Sequence, residues 1–125
     1  MFDQQITFLY ASNLTQSSRF YQNVLGLELV LDQGTCHIFQ VAGAAFLGIC
    51  QCSDERPSSS DGVIVTLVSS DVEGWHERLV AASAQVDGPP ALNERFNIYH
   101  LFARDPDGYR LEIQQFRDPR WAPPT

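Results

Sequence analysis

The chain has 125 residues, 44% of them hydrophobic, and 15 acidic against 8 basic side chains give it a formal net charge of −7. That length predicts a single domain with a real core, and that apolar content excludes a disordered chain. The eight basic residues, all arginines, are scattered and argue against nucleic-acid binding, and no apolar run reaches the roughly 20 residues of a membrane span. The opening residues, Met1 to Gln5, lack the basic start and apolar run of a signal peptide, which predicts a cytoplasmic protein. An acidic surface keeps a protein soluble and also suits a cationic small molecule.

In chain order, residues 5–10 read as a strand. Asn13 is a good N-cap for a helix over about 14–25, with Leu14, Phe20, Tyr21, Val24 and Leu25 on its apolar stripe and Gly26 ending it. Three short strands follow at 28–31, 36–41 and 44–50, with Gly34 and Gly43 in the turns between them. His37 sits beside Phe39 and Val41 and reads as a supporting or surface residue. Cys36, Cys50 and Cys52 are odd in number and match no zinc or thioredoxin spacing, so they are expected as unpaired thiols. Module 1 thus covers about 1–51, and the polar stretch of about 52–61 reads as a linker.

Module 2, about 62–116, begins with a strand at 62–68. Asp71 caps a helix whose apolar side carries Val72, Trp75, Leu79 and Val80, with His76 expected to be exposed. Gly88, Pro89 and Pro90 break the chain, and residues 97–104 and 109–116 form a hairpin. The tail, 117–125, has no regular pattern. Strand, helix, strands therefore occurs twice, and an offset of about 58 residues lays Leu14 on Val72 and Asn13 on Asp71. Each half is too small to bury its own sheet face. The fold class expected is α+β, with two βαβββ modules forming a curved mixed sheet around a concave cup and helices outside.

The hairpin turn is the most informative stretch. Pro106, Asp107 and Gly108 have the chemistry of a three-residue loop, a type I turn closed by a left-handed glycine. Asp105 then pairs with Tyr109, Phe102 faces Glu112, His100 faces Gln114, and Arg104 faces Arg110. His100 and Glu112 become diagonal neighbours on one face. That face is either the solvated side of a two-sided strand or a partly buried polar patch.

The pattern Asn13-Leu14, Phe20-Tyr21, Leu25-Gly26, together with the run from Asp105 through Gly108 to Glu112, resembles the vicinal oxygen chelate superfamily along nearly the whole chain. That superfamily includes glyoxalase I, extradiol dioxygenases, fosfomycin-modifying transferases and bleomycin-binding proteins. The resemblance implies paired βαβββ modules around a cup that typically holds a divalent metal. Carried over by position, its ligand sites fall on Ile6, Gly48 (within one residue), Ile64 and Glu112. Only Glu112 has a lone pair to offer, so no metal and no other cofactor is expected, with a divalent metal as the alternative.

On that resemblance the shared hairpin face lines the cup. His100 and Glu112 are the candidates for acid–base work. Phe102 and Gln114 lie beside them, Arg104 and Arg110 are candidate anion clamps at the rim, and Phe96, Tyr99 and Trp121 are candidate aromatic walls. The function expected is binding of a small organic ligand in a metal-free, partly aromatic cup, drug sequestration being one form of it. A glyoxalase-type lyase, isomerase or dioxygenase using His100 and Glu112 is the second expectation. A non-catalytic stress or interaction protein with a filled cup is the third. The resemblance further implies a homodimer, with no nucleic-acid or membrane partner.

Overall fold

A computed structural model describes residues 1–121. The last four residues of the tail lie outside the described residues. Two compact units emerge, Met1–Asp61 with Pro106–Gly108, and Gly62–Asp105 with Tyr109 onward.

The first unit holds a four-stranded mixed sheet in the order β1-β4-β3-β2. Its strands are β1 (Gln5–Ala11), β2 (Glu28–Asp32), β3 (Cys36–Ala42) and β4 (Ala45–Gln51). β1 and β4 run parallel, while β4, β3 and β2 form an antiparallel meander. Asn13 caps α1 (Leu14–Arg19) as expected, its side chain accepting from Gln16 N at 3.1 Å. The expected single helix over 14–25 is instead α1 followed by a π-helical turn, Phe20–Val24, closed by Leu25 N donating to Phe20 O. The wider turn buries Tyr21 and Leu25 and leaves Phe20 and Val24 half-buried. Periodicity alone does not distinguish one inserted residue from a regular helix. Tyr21, Phe39, Leu47 and Ile49 make the core of this unit.

The cysteine expectation is corrected here. Cys36 and Cys50 face each other across β3 and β4, with Cα atoms 4.0 Å apart, and form a disulfide. Cys52 is free. Counting thiols along the chain gave the wrong answer because the pair is made by strand register, not by spacing.

The second unit repeats the arrangement. Its sheet runs β5-β9-β8-β6, with β7 also on β8. The strands are β5 (Ile64–Val68), β6 (Gln85–Val86), β7 (Ala91–Asn93), β8 (Ile98–Arg104) and β9 (Arg110–Phe116). Asp71 caps α2 (Val72–Ala81) by accepting from Gly74 N at 3.0 Å. α2 buries Val72 and Leu79 towards β6, β8 and β9, while Val80, expected on the apolar side, is exposed and Trp75 is half-buried under the Arg78 guanidinium. Leu101, Ala103, Leu111 and Ile113 complete that core.

The hairpin register is the one the turn chemistry predicts. Asp105 N donates to Tyr109 O at 3.0 Å, and Gly108 takes φ +85°. Phe102 faces Glu112, His100 faces Gln114, and Arg104 faces Arg110. Asp107, which belongs to the first unit, accepts from Ser12 N at 3.1 Å and from Ser12 Oγ at 2.5 Å. The turn's aspartate is thus a structural acceptor.

Candidate functional site

β9 is buried on both faces. Leu111 and Ile113 turn towards α2, but Glu112 and Gln114 on the other face are also only 9% and 7% exposed. A solvated strand face does not bury a carboxylate to that extent. The alternate positions of β8 and the parallel partner β5 share this face: Ile98, His100 and Phe102 on one side, Ile64 and Thr66 on the other. Ile64, Ile98, His100, Phe102, Glu112 and Gln114, together with Asn93, Phe96 and Phe116, line a cleft of about 470 Å³.

At its floor lies one hydrogen-bonded cluster. Glu112 Oε2 sits 2.6 Å from His100 Nδ1, and Glu112 Oε1 accepts from Thr66 Oγ1 at 2.9 Å. The Gln114 amide, in the orientation that satisfies both its ends, donates to the same carboxylate at 2.9 and 3.2 Å. An ionised carboxylate only accepts, so His100 carries its proton on Nδ1 when neutral, and Nε2 is left with its lone pair. The imidazole also meets the Phe102 ring edge-on, with centroids 5.1 Å apart.

Of the residues singled out from the sequence, His100, Phe102, Glu112, Gln114 and Phe96 come together in this cleft. Arg110 lays its guanidinium over the Phe102 ring at 5.2 Å, and Arg104 lies 4.0 Å from Asp87. Tyr99 turns to the opposite face of β8, where its hydroxyl donates to Glu73; that bond raises its pKa above the usual phenol range. Trp121 does not line the cleft but stacks on Phe116, which does, with ring centroids 3.9 Å apart. Ile64, placed by the resemblance at a ligand position of the cup, does line the cleft, while Thr66, Asn93, Ile98 and Phe116 were missed as site residues. Three of them were available from period-two alternation along β5, β8 and β9, and only Asn93, on a three-residue strand, carried no signal.

His37 belongs elsewhere, between Ser18 Oγ at 2.8 Å and Asp32 Oδ1 at 3.2 Å in the first unit. A second cleft, of about 440 Å³, lies between Arg95, Phe96 and Asn97 and the start of the tail at Asp118, Pro119 and Arg120. Arg120 donates to both oxygens of Asp118 there and holds that carboxyl at about 2, well below its ordinary 3.8.

The donor set does not fit a divalent metal. Thr66 pairs with Glu112 on β5 and β9, and Phe8, 58 residues before Thr66, pairs with Gly48 on β1 and β4. Gly48 is therefore the counterpart of Glu112 in the first module. The Phe8 ring occupies the place where a Cβ on residue 48 would stand, so no ligating side chain is accommodated there. Ile6 and Ile64 offer no lone pair, and the lone pairs of Glu112 are already engaged. Among the described residues, no group of three or more His, Cys, Asp and Glu side chains converges on a metal-sized site.

The model of one family, the glyoxalase/bleomycin resistance protein/dioxygenase superfamily, matches residues 4–113. The chain belongs to that superfamily. Solved structures of superfamily type share its fold. A lactoylglutathione lyase from Agrobacterium tumefaciens is 22% identical, with 94% of this chain and 96% of that chain covered and a TM-score of 0.76. A glyoxalase/bleomycin resistance protein/dioxygenase from Nocardioides is 19% identical over 97% of this chain and 87% of that one, also with a TM-score of 0.76. TioX from Micromonospora sp. ML1 is 18% identical over 90% and 97%, with a TM-score of 0.75. No curated protein sequence matches this chain. At such identities the shared property is the superfamily fold, and the chemistry must be argued from the cleft. No helix among the described residues is long and apolar enough to cross a membrane.

Proposed function

We propose that this superfamily member binds a small aromatic organic molecule in the cleft between β5, β7, β8 and β9, with no divalent metal taking part. The observation that carries this reading is the division of labour inside the cleft. Its walls are phenyl rings and isoleucines, and its one buried carboxylate is consumed by three protein donors. A volume of about 470 Å³ falls in the range of sites for small ligands. Apolar walls with a few fixed polar atoms are how such sites gain affinity from burial and orientation from hydrogen bonds.

The His100–Glu112 couple supports a second reading, acid–base catalysis without a metal. A carboxylate that holds an imidazole in one tautomer is the arrangement a general base requires. Binding comes first in either case. A thermal-shift screen of small aromatic compounds is expected to find stabilising ligands. Their dissociation constants should rise about tenfold or more in Phe102→Ala and in His100→Gln, with the fold retained by circular dichroism. Unchanged affinity in both variants would remove the cleft as the binding site.

A further inference from the structure

The polar and charged groups around the cleft specify the sign and hydrogen-bonding character of its ligand. Glu112 has no free acceptor position, because Thr66, His100 and Gln114 occupy both oxygens. His100 Nε2 has no protein partner among the described residues, yet its side chain is only 16% exposed. The neutral imidazole thus presents one acceptor towards an apolar cleft, its tautomer fixed by the Nδ1–H donated to Glu112. Among the described residues no arginine or lysine lines the cleft, and Glu112, its one carboxylate, is already held by Thr66, His100 and Gln114. A cation entering it would give up its water to phenyl and isoleucine walls with no free counter-charge to replace it. No residue of β5, β7 or β8 is acidic; across the ladders His100 faces Ala91 and Gln114, and Phe102 stands two residues on along β8. Glu112 is the one acidic side chain among the described residues that line the cleft.

We propose that the cleft selects a neutral aromatic molecule bearing one O–H or N–H donor, with its ring against the phenyl walls and its donor on His100 Nε2. This rests on the cleft being a ligand site. It excludes the cationic ligand that net charge alone suggested.

Three simple probes separate the possibilities near neutral pH: 4-ethylphenol, which has the donor and remains un-ionised there; 4-ethylanisole, which has the ring alone; and benzyltrimethylammonium, which has the ring and a positive charge. Titration into the full chain, followed by NMR, is expected to show 4-ethylphenol binding about tenfold tighter than 4-ethylanisole, the value of one net hydrogen bond. The ammonium should bind weakest. In His100→Phe, which keeps the ring and removes the acceptor, the tenfold preference should vanish. The imidazole nitrogen signals of the wild-type chain give the same answer without a variant: Nε2 should move with 4-ethylphenol and stay put with 4-ethylanisole. Equal affinity for the two uncharged probes, or an unmoved Nε2 signal, overturns the donor assignment and leaves the cleft a ligand site. Tightest binding by the ammonium overturns the charge assignment. Binding by none of the three removes the cleft reading, and this inference with it.

Discussion

Glu112→Ala is expected to destabilise the protein by about 3 kcal/mol, the cost of removing one partner from a largely buried charged cluster. The substitution leaves Thr66 Oγ1, the Gln114 amide and His100 Nδ1 without their common acceptor in a part of β9 that water barely reaches. Glu112→Gln keeps the shape and one acceptor oxygen, so its cost should be nearer 1 kcal/mol. Chemical denaturation of the two variants measures both values. A carboxylate on a solvated strand face would give a change close to zero for both. An alanine variant as stable as wild type would therefore contradict the buried cluster. The comparison also separates folding from function, since the glutamine variant remains folded for binding measurements.

Loss of the Cys36–Cys50 disulfide should cost a comparable amount. The bridge closes a loop with a sequence separation of 14, for which the chain-entropy account gives about 3 kcal/mol, equivalent to roughly 10 °C in Tm for a chain of this size. The double variant Cys36→Ser, Cys50→Ser, or wild-type protein under reductant, is expected to melt lower by that margin. Cys52→Ser is expected to melt within about 2 °C of wild type, because Cys52 is half-exposed and closes no loop. Identical melting with and without reductant would show that the bridge contributes nothing.

Much of the fold was legible because its signals are local. Asn13 and Asp71 cap their helices by accepting from the backbone three residues on, a pattern readable from side-chain type alone. Gly108 permits the left-handed residue that closes the hairpin, and that one turn settles the pairing of Phe102 with Glu112 and His100 with Gln114. The 58-residue repeat carried over to the ladders, where Phe8 with Gly48 repeats Thr66 with Glu112.

What was not legible depends on contacts between segments far apart in sequence. The Cys36–Cys50 pairing comes from the register of β3 on β4. The π-helical turn at Phe20–Val24 differs from the expected helix by a single hydrogen-bond shift that apolar spacing does not encode. Tyr99 was grouped with the aromatic walls by type, although its odd position on β8 sends it to the other face, onto Glu73. The place of Arg110 over the Phe102 ring also needed coordinates: the sequence puts the two on one face but does not say that they stack.

The central claim is that Glu112 serves a metal-free ligand cleft, with its oxygens committed to Thr66, His100 and Gln114. The most direct test is equilibrium dialysis of tag-free protein against zinc, nickel, manganese and ferrous ions in turn, followed by elemental analysis of the protein. The account predicts no stoichiometric retention of any of them, in wild type or in Glu112→Gln. One ion bound per chain in wild type and lost in Glu112→Gln would contradict it.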